Sequence, residues 1–253
     1  MTQLQKMIDD LHALGLQEGD VVIVHSSLSS LGYVEGGADA VIDALETVVG
    51  ENGTLLLPSL SFSTVNKENP YFDIRTTPVC VGKIPDTFRQ RPETIRSLHP
   101  THSVSAWGKY AKEMTCDHQY DDTPIGPRSP YRKLPAYGGK VLMLGCRVGA
   151  FTFIHGVEEI ANLEYVLTKE PWHYTLTDYN GNQIEKDIYR HNFAPQGLTQ
   201  RYDRILDLLS PNEYSVGKVL EATSYLFDTR LVLERSVAAM AKDPYFFVDG
   251  HNE

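Results

Sequence analysis

Val21-Val22-Ile23-Val24-His25-Ser26-Ser27-Leu28-Ser29-Ser30-Leu31-Gly32, followed by Gly36-Gly37 and a helical pattern from Ala38 to Val49, decides the fold class. The β-branched run has no polar interruption, which suits a strand buried on both faces of a parallel sheet. The small residues behind it form a loop that leads into the helix. Gly50-Glu51-Asn52-Gly53 then turns the chain into Thr54-Leu55-Leu56-Leu57-Pro58, so residues 21–58 read as a βαβ unit with a right-handed crossover.

Upstream, Leu4, Met7, Ile8, Leu11 and Leu14 recur at spacings of three and four, which predicts an amphipathic helix over residues 3–15. Downstream, residues 61–80 are rich in Ser, Thr, Asn and Pro and predict a long surface loop. A short helix is predicted from Gly82 to Gln90, strands from Ser103 to Trp107 and Lys140 to Gly145, and a helix from Thr152 to Leu163. Alternating runs on either side of Asn180-Gly181 predict a β-hairpin addition over residues 170–195. Leu198 to Leu209 and Thr229 to Ala241 have helical spacing, and Tyr214 to Leu226 fits either strand or helix. The whole reads as an α/β chain, one unit spanning residues 1–253 with an appended part.

Of the 253 residues, 42% are hydrophobic, enough for a sizeable core. With 23 Lys and Arg against 33 Asp and Glu, the formal charge is −10, which argues against a nucleic-acid partner, since phosphate backbones are bound by clustered cations. No stretch approaches the roughly 18 apolar residues of a membrane span, and the acids near the start do not fit a signal peptide. Cys80, Cys116 and Cys146 form no paired spacing. A cytoplasmic enzyme is the expectation, with a homodimer as the ordinary prior.

Three segments carry candidate chemistry. The loop His25 to Gly37 lets the main chain approach an anionic group at a helix N-terminus, but it has neither a Walker nor a GxGxxG spacing, and an ordinary βα turn fits equally. His155, at the start of a helix, has Glu158 three residues on, placed to fix its tautomer and stabilise its charged form. Such a histidine is a candidate general base; a metal ligand or a packing residue are the alternatives. His99-Pro100-Thr101-His102 offers donors to a substrate, or satisfies loop carbonyls, or forms half of a zinc site. The aromatic residues of the last third are read as packing, and Asp117, Asp121 and Asp122 as a solvated loop or an attractor for a cationic acceptor.

The ordered set of segments resembles the aminoglycoside 3-N-acetyltransferase family. It comprises His25 to Gly32 with Gly36-Gly37-Ala38, Gly53 to Pro58, Val81-Gly82-Lys83-Ile84-Pro85, Arg96-Ser97 with His99 to Val104, Pro124-Ile125-Gly126 with Ser129-Pro130, Gly138 to Leu142, and Thr152 to His155 with Glu158. The match extends through about residue 170 and is looser afterwards. The resemblance implies a central mixed sheet flanked by helices, with a β-hairpin-rich C-terminal addition. It implies acetyl-CoA as co-substrate, no metal, and a small-molecule amine acceptor. His25, Ser26, Ser27, Leu28, Ser29, Leu31, Gly32, Gly36 and Gly37 are the implied cofactor contacts, with His99 and Ser103 nearby. His155 corresponds to the family's catalytic histidine, oriented by Glu158, and acts by direct transfer without an acyl-enzyme. Cys146 is the alternative nucleophile, with Arg147 as its one neighbouring cation.

Arg147 and Phe151 precede the catalytic segment, where resistance enzymes carry acid-rich segments. That favours an anionic acceptor, plausibly a nucleotide-linked amino sugar of polysaccharide biosynthesis, with Arg147 and Asp122 as substrate residues. An aminoglycoside is the second choice. A serine hydrolase using the His25–Ser30 loop, or a coenzyme A-binding protein without turnover, are the competing classes.

Overall fold

The computed structural model describes residues 2–250. Along the chain run α1 (Gln3–Leu14), β1 (Val21–Ser26), α2 (Gly37–Val49), β2 (Thr54–Pro58), β3 (Tyr71–Asp73), α3 (Lys83–Phe88), β4 (Ile95–Arg96), β5 (Val104–Gly108), α4 (Ala111–Thr115), α5 (Pro130–Lys133), β6 (Lys140–Leu144) and α6 (Phe153–Ala161). Then follow β7 (Trp172–Thr177), β8 (Gln183–Ile188), β9 (Thr199–Gln200), α7 (Ile205–Leu208), β10 (Tyr214–Val219), β11 (Ala222–Asp228), α8 (Thr229–Met240) and β12 (Val248–Asp249).

The seven-stranded sheet has the order β10-β11-β6-β1-β2-β5-β4. β1 is parallel to both neighbours, β2 and β6, whereas β5 joins β2 and β11 joins β6 antiparallel. The sheet is therefore mixed, and its middle is the parallel unit read from residues 21–58. Alternation along β1 explains why both faces are apolar. Val22 and Val24 enter the core beneath α1 and α2, with Ile42, Leu45, Leu55 and Leu57. Val21 and Ile23 enter the opposite core, with Met143, Phe151 and Ile154. His25 shares the parity of Val21 and Ile23, so it falls on the face that carries α6.

α1 starts where Thr2 Oγ1 accepts from Gln5 N and stops at Gly15, whose φ of 108° only glycine adopts freely. It buries Met7, Leu11 and Leu14, each worth roughly 1.5–3 kcal/mol. Leu4, the fifth member of the predicted stripe with Ile8, stays 40% exposed.

Three expectations change. Residues 61–80 are not all loop, because β3 pairs in parallel with β7 and buries Phe72 in the core of a separate β3-β7-β8 sheet. Leu198 to Leu209 is not one helix: it is β9, a 3-10 turn at Tyr202–Arg204 and the single turn of α7, because Arg201 N is drawn to Phe247 O and β9 pairs with β12. Tyr214 to Leu226 resolves into β10 and β11, added to the edge of the main sheet. The β7–β8 hairpin forms as read, but only Gly181 has positive φ; Asp178 N and Asn182 O close a longer loop, and Asp178 Oδ1 caps Asn180 N. Among the described residues, no helix is long and apolar enough to cross a membrane.

Candidate active site

The loop after β1 is tied back to the sheet by Ser27 N donating to Leu144 O at 3.0 Å. Its hydroxyls are linked, Ser27 Oγ lying 2.8 Å from Ser30 Oγ. Gly145 permits this packing: at φ 70°, a Cβ there would lie 2.8 Å from Ala222 Cβ and 3.0 Å from Ser30 Cβ. Ser26, Ser27, Leu28, Ser29, Gly32 and Gly37 line a cavity of about 550 Å³, closed by Tyr33, Val34, Gly82, Lys83 and Ile84. The N-terminus of α2 has no side-chain cap; Gly37 N donates to Val34 O at 3.0 Å, and the helix dipole still presents its positive end there.

Five of the expected cofactor contacts lie outside this cavity. Leu31 is a core residue beneath the loop. Gly36 is the N-cap of α2, with φ 80°. His99 is buried, its Nδ1 accepting from Thr101 N and His102 N and its Nε2 donating to Thr123 O, so it holds a loop together. Ser103 is also buried, donating to Ser59 O and accepting from Arg96 Nε. His25 lines the neighbouring cavity instead.

That neighbouring cavity, of about 300 Å³, is lined by His25, Ser26, Phe62, His102, Cys146, Arg147, Thr152, His155 and Tyr202. Ser26 lines both, so the loop cavity adjoins the one that holds the histidine. A third cavity of about 300 Å³ reaches His155 from the side of Phe62, Arg190, His191 and Phe193. α6 brings His155 there because Gly156 lets the helix approach the segment around Ile125; a Cβ at Gly156 would lie 2.7 Å from Ile125 Cγ2.

His155 Nδ1 lies 3.2 Å from Glu158 Oε2, the predicted pair, and 2.6 Å from Tyr202 Oη. Tyr202 Oη donates to Glu158 Oε2 at 2.7 Å. A hydroxyl has one proton, and Tyr202 gives it to the carboxylate, so its contact with Nδ1 requires Nδ1 to be the donor. Nε2 then carries the lone pair. Burial pushes the Tyr202 phenol well above its ordinary range, helped by the adjacent Glu158, which keeps it protonated in this role. His25 is pushed down to about 4 by burial, and its Nε2 has no partner, so it is a neutral polar wall. Burial pushes the Cys146 thiol up to about 12, which disfavours the thiolate that a nucleophile needs.

The hydrolase arrangement is also not assembled. No serine of the loop hydrogen-bonds His155, and the Ser27 hydroxyl is engaged by its neighbours. Arg147 stands exposed at the cavity mouth, as expected, but Phe151 is buried against Phe153 and Phe227 and presents nothing to a substrate. Asp122 is exposed and lines none of these cavities; it is Asp121 that is buried, accepting from Arg128 N. Tyr202 and His191 have no sequence signal for this role: they lie 47 and 36 positions from His155, in stretches read as a helix and as part of the hairpin addition, and only the chain path joins them to it.

The chain matches the family described as aminoglycoside 3-N-acetyltransferase over residues 23–241. It is 34% identical to aminoglycoside N(3)-acetyltransferase VII of Streptomyces paromomycinus, covering 93% of this chain and 90% of that one. It is 37% identical to the aminoglycoside N(3')-acetyltransferase-like protein YokD of Bacillus subtilis, covering 88% and 86%. Among solved structures, the aminoglycoside acetyltransferase AAC(3)-IVa, as a histidine-to-alanine mutant in complex with a gentamicin, superposes with a TM-score of 0.83 at 29% identity, covering 96% and 90%. AAC-IIIb, binary with CoASH, gives 0.82 at 26% identity, covering 99% of each chain. This chain belongs to the aminoglycoside 3-N-acetyltransferase family and is an acyltransferase that uses acetyl-CoA.

Proposed function

We propose that the protein transfers the acetyl group of acetyl-CoA to an amine of an aminoglycoside, with His155 as general base. The observation that carries this reading is that Ser26 lines both cavities, which sets the cleft of about 550 Å³ beside a histidine whose Nδ1 is held 2.6 Å from Tyr202 Oη, with Nε2 at a longer 3.4 Å from the same oxygen. Ser26, Ser27, Leu28, Ser29, Gly32 and Gly37 hold the coenzyme, with the α2 N-terminus favouring its negative charge. Acetyl-CoA supplies the acetyl group as a thioester. His155 Nε2 takes the proton that the amine gives up as its nitrogen attacks, and Glu158 and Tyr202 stabilise the imidazolium from the Nδ1 side. The same proton is then available to the departing thiolate. Ser27 N and Ser30 N are already engaged by Leu144 O and Ser27 O, so the N–H groups of Leu28 and Ser29 are the loop's donors for the developing oxyanion.

The nucleotide-linked amino sugar, favoured from the sequence, gives way to the aminoglycoside. The relatives are named for aminoglycosides, and this chain spans 86–90% of their length, so the shorter-chain argument against such acceptors loses its force. All three cysteines are free thiols, in keeping with a reducing cytoplasm. Thiol release from acetyl-CoA, measured with kanamycin- and gentamicin-type amines and with UDP- and dTDP-amino sugars, tests the acceptor. Turnover confined to the nucleotide sugars would overturn it. His155→Ala is expected to lower kcat by roughly 10²–10⁴-fold with acetyl-CoA affinity kept, read by kinetics and calorimetry.

A further inference from the structure

The buried His118, His99 and His102 and the partly buried His191 form a ladder of ring contacts. His118 stacks on His99 with centroids 4.7 Å apart, His99 meets His102 edge-on at 6.2 Å, and His102 meets His191 edge-on at 4.9 Å. The ladder ends on His155, against which His191 stacks with centroids 4.0 Å apart and planes 22° from parallel. His191 makes one hydrogen bond, donating from Nε2 to Glu159 Oε1 at 3.1 Å. Glu159 is itself fixed, accepting from Ile125 N and Thr123 Oγ1. The backbone at His191 is pinned by its bridge to Leu167 and by Asn192 N donating to Val166 O.

We propose that His191 is a positioning residue, whose flat ring, packed on the His155 imidazole, keeps Nε2 aimed at the acceptor amine. This rests on the reading of His155 as the base. The Nδ1 edge of His155 is anchored by Glu158 and Tyr202, but a ring hinged on one hydrogen-bonded edge still rocks about it. A flat partner against its face removes that freedom, and misplacement of a reacting group by about 1 Å costs on the order of 10²-fold in rate. Burial, with His155, His99 and Arg190 nearby, keeps His191 neutral, so His155 gains its proton without a cation stacked on it.

Three variants separate the ring from its nitrogen. His191→Ala removes both, His191→Phe keeps a flat ring, and His191→Gln keeps a donor for Glu159 without a ring. The expected result is a kcat loss of roughly 10–100-fold for Ala and Gln, recovery to within about threefold of wild type for Phe, and a KM for acetyl-CoA changed by less than about twofold throughout. Thermal melts and acetyl-CoA calorimetry establish that each variant is folded; if Ala is not, the contrast between Phe and Gln decides. Wild-type kcat in Ala, or an inactive Phe beside an active Gln, would overturn the proposal. A His155→Ala control with undiminished kcat would instead remove the base, a failure visible separately from the His191 series.

Discussion

At His155 the two ring nitrogens have different surroundings, and the division of labour follows from them. Nδ1 meets a carboxylate and a phenol that share one proton between them, and Nε2 makes the longer contact with that phenol, at 3.4 Å, on a ring that lines the cavity. The His155–Glu158 spacing was legible because residues three apart share a helical face. Tyr202 was not, since nothing local marks a tyrosine in Gln200-Arg201-Tyr202-Asp203 as an active-site group. Tyr202→Phe leaves Glu158 within 3.2 Å of Nδ1, so kcat is expected to fall by about 10-fold, less than for His155→Ala, in steady-state assays. Cys146→Ser is expected to keep near-wild-type turnover, because burial pushes the thiol up to about 12 and direct transfer to the amine does not use it. Mass spectrometry of the enzyme during turnover should show no acetylated Cys146, and a trapped adduct there would contradict direct transfer.

At the level of elements, two glycines govern how the loop and the helix converge. Gly145 ends β6 with φ 70° and leaves room for the Ser27–Ser30 loop, while Gly156 lets α6 close on Ile125. Neither site has an easy way to yield, since Ala222 and Ile125 are themselves buried. Gly145→Ala should displace the coenzyme loop and raise the KM for acetyl-CoA. Gly156→Ala should displace His155 and lower kcat with the KM for acetyl-CoA nearly kept, despite the roughly 1 kcal/mol that alanine gains over glycine within a helix. Steady-state kinetics with acetyl-CoA as the varied substrate separates the two, and the same response in both variants would mean that loop and helix do not act as separate supports. Strand β1, helix α2 and hairpin β7–β8 could be read from period and turn residues, whereas 198–209 could not, because its helical spacing lost to strand pairing with residues 248–249.

Across the whole molecule, the buried histidines make stability depend on pH. His25 and His99 are pushed down by burial to about 4 and about 3, and His102, His118 and His191 lie well below 6.5. Unfolding lets them bind protons, so stability is intact above about pH 6.5 and is lost as pH falls from there toward about 4. His25 and His99 each weaken the fold by up to roughly 1.4 kcal/mol per pH unit in that window, and His102, His118 and His191 act in the same direction. Asp121, raised to about 6, and Glu46 and Glu159, both raised by partial burial, act in the opposite sense and offset part of this. Melting temperature should therefore fall steeply between pH 7 and 5, and a flat profile would show that the histidines protonate in place. The sequence by itself determined the α/β class, the βαβ centre, the loop of small residues and the His155–Glu158 pair, because each is written in local spacing. Only the tertiary structure decided that His99 and Ser103 are internal supports, that Tyr202 and His191 reach the base, and that β10 and β11 extend the sheet. Those outcomes depend on contacts between distant segments, where burial and strand pairing outweigh the local pattern.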